Sequence, residues 1–351
     1  AEYILPFVAL GTAFMAGGTS NWRLAIALTG IIAACYSLIY YNSVSNTPPG
    51  KAYKRPKKNG AMEVTSPKSF WAMIIMNFGL IFALGLLAWR LAQPKLNFLN
   101  QGQMITVWVL LGLLYAFQTY KAWQVNKDML RGTKTFAPTE RYQFRQVSLL
   151  EYAYVISFGS ELAAVSMLPA FFEYTFALDH VTASMIAASY PFLNLVSRPS
   201  GGLISDKFGS RKWTLTLIAV GVGLSYLIAS GINKAWPIPL AIAATMLAAY
   251  FAQAGCGATY GIVPLIKKDI TGQISGNVGA YGNFGGVVFL TIYSLTNAAT
   301  LFVVMGIAGL ICASLCAFFL KEPKNSFAVD YATEPEYIEN PPVAVTQDFR
   351  N

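Results

Sequence analysis

The chain has 351 residues, 55% hydrophobic and only 12% charged, with a mean hydropathy of +0.48. That balance exceeds what a water-facing surface tolerates, so it excludes an ordinary soluble globular protein and places most of the chain in lipid or between packed helices. The net charge of +9 does not indicate nucleic acid, because most of the basic residues are gathered in a few loops.

A helix needs about 20 apolar residues to cross a bilayer, and ten such runs are predicted, near 3–17, 24–42, 70–92, 104–123, 149–172, 182–204, 213–231, 237–258, 274–295 and 299–320. The first begins abruptly, without an initiator Met or the basic flank and cleavage site of a signal peptide, and the chain therefore reads as a fragment or trimmed product. Two spans occupy 1–42. The turn Asn46-Thr-Pro-Pro-Gly50 then opens a basic linker, 43–69, too charged to insert. A hairpin follows at 70–124, its connection containing Gln93-Pro-Lys-Leu-Asn97, and a second basic loop covers 125–147. Six closely spaced spans form a self-contained bundle over 148–320, and the acidic, Pro-containing tail 321–351 reads as disordered after Lys321.

Twenty of the 25 lysines and arginines fall on one side of this ten-span arrangement and four, Arg23, Arg90, Lys95 and Lys234, on the other. This positive-inside pattern makes the basic loops and the C-terminal tail cytoplasmic. The remaining basic residue, Arg198, lies well inside a span. Eight residues separate it from Asp206, which places its backbone about 12 Å inside the helix end. Arginine near a helix centre costs about 2.5–3.5 kcal/mol even on the translocon scale, so it is expected to face a water-filled path or a partner. Pro191, Pro199, Gly201 and Gly202 surround it, a composition suited to bending and close packing.

The segment Gly201-Gly-Leu-Ile-Ser-Asp-Lys-Phe-Gly-Ser-Arg-Lys212 places an acid, a base and a glycine in a tight turn before two further bases. Downstream, Gly276, Gly279, Gly282 and Gly285 recur every three residues, with Gly286 added, and are expected to give one nearly bare helix face; Asn277 and Asn283 offer amide donors beside it. No strand precedes this run, which excludes a dinucleotide fingerprint. Glu161 is an acid inside a span: it is a candidate proton carrier, and equally a partner for Arg198 or a group in a polar gap. Cys35, Cys256, Cys312 and Cys316 lack disulfide or zinc spacing and are expected to be inert packing residues. His180 is expected at the surface. With no paired acid and base around a nucleophile, no metal-ligand set and no phosphate-binding lysine loop, neither an enzyme nor a cofactor is expected.

The turn segment resembles the cytoplasmic loop motif of the major facilitator superfamily, whose charges latch helix ends in one transport conformation. More specifically, Arg198-Pro-Ser-Gly-Gly-Leu-Ile-Ser-Asp206, Ala254-Gly-Cys-Gly-Ala-Thr-Tyr-Gly-Ile-Val-Pro264 and Gly279-Ala-Tyr-Gly-Asn-Phe-Gly-Gly286 resemble three segments of the nitrate/nitrite porters of that superfamily, in the same order. The resemblance implies an all-α integral membrane protein of the major facilitator fold, holding the C-terminal six-helix bundle and the last two helices of the N-terminal bundle. The hairpin 70–124 is a departure from twelve helices. It also implies a second arginine and a first glycine signature upstream of Ala1, so that this chain holds half of a site. Arg198, Tyr154, Asn283, Gly279 and Gly282 would line that site, and Asp206, Lys207, Arg211 and Lys212 would form the conformational latch.

A planar guanidinium can give two parallel donors to planar nitrate, where lysine would be a hydrated point charge. The expected partners are nitrate or nitrite, either protons or a counter-anion, and the lipid of a cell membrane. The alternatives are a facilitator for another small solute, or a membrane sensor or scaffold derived from a porter.

Overall fold

A computed structural model describes residues 22–44, 60–94, 96–137 and 140–322, and these residues contain helices and no strand. The predicted span at 3–17, most of the linker and the tail from 323 onward lie outside them. In chain order the helices are α1 Trp22–Ser43, α2 Pro67–Leu91, α3 Gln101–Leu130, α4 Phe144–Tyr154, a π-helical turn Val155–Gly159, α5 Ser160–Phe176, α6 His180–Phe192, α7 Asn194–Phe208, α8 Arg211–Ser230, α9 Ile238–Ile266, α10 Thr271–Leu295 and α11 Ala298–Phe319. Among the described residues, seven helical segments are long and apolar enough to cross a membrane: α2, α3, the continuous run Phe144–Phe176, α8, α9, α10 with its preceding short turn, and α11.

Helices extend beyond the apolar runs because capping groups, rather than the end of the hydrophobic stretch, terminate them. Ser66 accepts from Ser69 N with Pro67 in the first turn, Asn100 and Gln103 form a reciprocal capping box, and Asp179 and Asn297 accept from Thr182 N and Thr300 N. Gly209, at φ 65°, closes α7 in the left-handed conformation that glycine adopts without strain. Asp179 lies outside the spans, and its capping hydrogen bonds hold its carboxyl below the usual aspartate range.

Two predicted spans are not regular. The run 182–204 is divided into α6 and α7, which meet at Leu193, two residues after Pro191. Pro191 has no N–H to offer one turn earlier, which weakens the ladder before the break, and Tyr190 O beside it accepts from Gln253 Nε2 at 2.9 Å. The run 149–172 carries the π turn, a single wide turn of the kind that re-aims side chains inside a helix.

Small residues set the helix spacing. In α8 and α11, Gly223 meets Gly306 and Gly309, where an added Cβ at Gly309 would lie 2.8 Å from Gly223 N. Gly201 and Gly257 bring α7 and α9 together, each facing a backbone carbonyl of the other helix, that of Ala254 and that of Arg198. Gly285 rests on the π turn, an added Cβ there lying 2.6 Å from Val155 O and 3.0 Å from Gly159 Cα.

The expected bare face of α10 is corrected by this packing. A step of three residues turns a helix 300°, so glycines at that spacing drift by about 60° each. Gly282, Gly285 and Gly286 make tight contacts, Gly279 approaches only the Tyr260 hydroxyl, and Gly276 faces open space.

The hairpin α2–α3 docks on this bundle through α2, against α10 and α4. Arg90 donates to Ser294 Oγ (2.9 Å) and Ser294 O (2.5 Å) at one end. At the other end, Asn126 bonds Val64 N and Met62 O, Tyr142 donates to Glu63 O (2.7 Å), and Lys134 pairs with Glu63. Most of α3 remains exposed, including Trp108, Leu113 and Phe117, as a lipid-facing helix requires. Cys35 is exposed on α1, so it is not a packing residue among the described contacts, whereas Cys256, Cys312 and Cys316 are buried as expected.

Two glycine variants separate close packing from mere spacing. Gly285→Ala should cost about 1–3 kcal/mol, because backbone atoms of the π turn cannot yield to a methyl group. Gly276→Ala should be neutral or gain up to about 1 kcal/mol from lower unfolded-chain entropy. Thermal unfolding in detergent should therefore shift in opposite directions, or for Gly285→Ala alone.

Candidate functional site

The centre of the bundle is an ion pair. Arg198 Nη2 donates to Glu161 Oε2 at 2.8 Å, joining α7 to the first turn of α5. The Glu161 side chain is 5% exposed and that of Arg198 36%, so the carboxylate is enclosed while the guanidinium retains an open side. Asn194, one turn before Arg198, donates to Glu161 Oε1 at 2.5 Å, and Cys256 Sγ lies 3.8 Å from Oε2. Removing one member of such a pair leaves a charge without compensation in low dielectric, which costs more than the intact pair contributes. Arg198 Nε is buried without an acceptor, so the guanidinium retains an unused donor.

Aromatic rings build one wall. Tyr154 and Phe158 stack with centroids 5.2 Å apart and planes 5° apart, and Tyr260 meets Tyr154 edge-on at 5.0 Å. The Arg198 guanidinium lies over the Phe158 ring, 5.4 Å from its centroid. The π turn contributes to this arrangement because it lies between Tyr154 and Glu161 and contains Phe158. Gly282 admits the rings: an added Cβ there would lie 2.5 Å from Tyr154 Cδ1 and 2.8 Å from Phe158 Cδ1.

A second constellation lies at the end of α7. Arg211 donates to Asp206 at 2.9 Å and to the Gly261 carbonyl, tying the α7–α8 turn to α9. Asp206 is 63% exposed, so this ion pair by itself contributes at most about 1 kcal/mol. Glu322 is the stronger element. Its carboxylate accepts from Arg211 N (2.7 Å), Lys212 N (3.1 Å) and Ser210 Oγ, capping the N-terminus of α8 where the backbone dipole favours negative charge. The tail expected to be disordered after Lys321 is thus anchored for at least one further residue. Lys321 N also donates to Gln146 Oε1 at 3.0 Å, which joins the end of α11 to α4.

The structure brings together Arg198, Glu161 and Tyr154, the last through Phe158, with Gly282 and Gly279 behind the aromatic wall. Asn283 is not part of that cluster: it is exposed and donates to Gly279 O of its own helix. Asp206 and Arg211 pair, whereas Lys207 is exposed and the Lys212 ammonium lies over the Trp213 ring, 5.4 Å from its centroid. His180 is exposed at the start of α6, 3.0 Å from Glu173. Asn194, Phe158, Tyr260 and Glu322 were missed. Asn194 carries a readable signal, its i, i+4 spacing to Arg198. Glu322 carries none, since its role depends on the end of α11 reaching the start of α8.

Comparison with known proteins shows the family. Residues 151–346 match the sequence profile of the Major Facilitator Superfamily. The nitrate/nitrite transporter NrtP of Nostoc punctiforme is 71% identical over 334 residues, covering 95% of this chain and 67% of that protein. The NrtP protein of a Picosynechococcus species is 53% identical, over 97% of this chain and 65% of its own length. A rice high-affinity nitrate transporter, 2.3, is 34% identical over 151 residues, 41% of this chain and 29% of that protein. The chain therefore spans about two thirds of the cyanobacterial relatives. With a superfamily profile across the six-helix bundle and a relative of 71% identity, the chain belongs to the nitrate/nitrite porter family of the major facilitator superfamily.

Proposed function

We propose that this chain carries the C-terminal half of a nitrate and nitrite site in a secondary transporter of the cell membrane, working by alternating access in nitrate assimilation. The single observation that carries the reading is Arg198. It is a guanidinium deep in a helical bundle, stacked on Phe158, with one Nη held by Glu161 and Nε lacking an acceptor. A planar oxyanion fits the donors that remain, and the Tyr154–Phe158 stack offers an apolar flank that excludes water and strengthens the charge interaction. The names of the cyanobacterial relatives, nitrate/nitrite transporters, supply the substrate.

In this mechanism Glu161 compensates Arg198 while no anion is bound and holds its guanidinium in place. Of the roles open to it from sequence, pairing with Arg198 fits the 2.8 Å contact. Asn283 is not assigned to the anion here, since its amide is engaged within α10. Asp206, Arg211 and Glu322 stabilise one packing of α7, α8, α9 and α11, which rocking of the bundles would break and reform. The basic loops support a cytoplasmic position for this end and for the C-terminus. Anion uptake against an inside-negative potential costs about 2.3 kcal/mol per 100 mV, so a coupling ion is required.

Two experiments test these assignments in the complete transporter. Arg198→Lys keeps the charge but not the planar fork, and nitrate affinity should fall by about tenfold or more, the scale of one charge-assisted hydrogen bond; wild-type affinity in a transport assay would remove the clamp. Glu161→Gln removes a negative charge beside the anion, and the apparent Michaelis constant for nitrate should decrease several-fold. A rise in that constant would show that Glu161 contributes to binding only by positioning.

A further inference from the structure

A second carboxylate, absent from the site above, lies deeper in the packing than Glu161. Glu151 on α4 is 0% exposed. It is seven residues from the start of α4, about 10 Å along the axis, and three residues before Tyr154. Its Oε1 accepts from Asn277 of α10, while Oε2 is buried without a partner. Tyr281, one turn beyond Asn277 on α10, has a buried hydroxyl that also lacks a partner and lies within Coulomb range of Glu151.

Among the described residues, no cation compensates this acid. Helices α2, α9, α10 and α11 and the π turn pack on α4. The helices α9, α10 and α11 contain no acidic or basic residue, and the π turn contains none either. They present titratable side chains only of the tyrosine and cysteine type, among them Tyr281 on α10, Cys312 on α11, and Tyr260 on α9, whose hydroxyl donates to Ser275 O. The α2 cations are at its ends: Arg90 is bound to Ser294, and Lys68 borders the surface cleft at the start of α4 with Arg145 and Ser148. Arg145 lies over the Phe319 ring, 5.7 Å from its centroid. Tyr142, also within Coulomb range, donates to Glu63 O instead. Among the described residues, none of the ion pairs includes Glu151.

An ionised carboxylate fully withdrawn from water, with no cation and one empty oxygen, is too costly to persist, and such a group neutralises instead. A protonated acid suits this position, since Oε1 keeps its acceptor role toward Asn277 and Oε2–H needs only a local acceptor. We propose that Glu151 is the proton-binding group of the transport cycle, holding its proton while α4 and α10 are packed as here and giving it to water, as carboxylate and hydronium, when that interface opens. The α4–α10 interface also holds Gly282 against Tyr154, so the same movement that reshapes the anion site exposes Glu151. This inference rests on the transport reading above.

The test uses the complete transporter in liposomes. An inward pH difference of one unit should raise wild-type nitrate accumulation by up to about tenfold per proton carried. Glu151→Gln keeps the acceptor for Asn277 and should lose that gain, while nitrate exchange at equal pH on both sides, which needs no net proton movement, persists and reports that the variant folds. Glu151→Asp should restore pH-driven accumulation. In parallel, infrared difference spectra between low and high pH should show a carboxylic-acid carbonyl band that Glu151→Gln abolishes. That band is independent of substrate identity, so failure of the nitrate reading alone would leave it intact. Proton-driven accumulation that survives Glu151→Gln, wild-type accumulation indifferent to the pH gradient, or a band unchanged in the variant would each overturn the proposal.

Discussion

The constraint on which the rest of the bundle depends is the presence of Arg198 at membrane depth. An arginine near the centre of a helix carries a cost of about 2.5–3.5 kcal/mol on the lenient scale, and the surrounding structure reduces it by three separate means. Glu161 supplies opposite charge, Phe158 supplies a π face, and the open side of the guanidinium leaves room for an external acceptor. Each of these fixes something else. Glu161 requires Asn194 and Cys256 around it, which draws α7 and α9 onto α5, and Phe158 is aimed by the wide π turn.

Glycine makes that convergence sterically possible. Where α9 crosses α7, Gly257 faces the carbonyl of Arg198 itself, so the backbone carrying the charge is fixed by a contact that any side chain would prevent. Where α10 crosses the π turn, Gly282 and Gly285 allow the Tyr154–Phe158 stack to sit against a helix rather than beside it. In lipid there is no hydrophobic drive between helices, so such close van der Waals packing carries much of the association. The two anchoring systems, ion pair and glycine seams, therefore reinforce one another at the same crossings.

The end of the bundle where α7 turns into α8 works on a different principle. Its ion pair is exposed and weak, and its strength comes from Glu322, whose carboxylate satisfies backbone donors at the start of α8 that would otherwise have no partner. Such a cap is reversible in water, unlike a contact buried in the bundle core. Exposed electrostatics at the helix ends and enclosed electrostatics at the centre suit the rocking proposed above, in which the rim would repack around a fixed centre.

The sequence by itself determined that this is a membrane protein, where its helices run and which charge is out of place, because apolar run length and the cost of a buried cation are local properties. It also carried the family resemblance, through the three segments around Arg198, Gly257 and Gly282, since the glycines that allow close approach stand there in a readable spacing. The break at Leu193, the π turn, the division of the α10 glycines into packed and open positions, and the parts played by Asn194, Tyr260, Glu322 and Glu151 were decided only by the tertiary structure. Glu151 shows why. In sequence it is one acid near a span entrance, and only the arrival of α10 and Asn277, 126 residues later, removes it from water without giving it a cation.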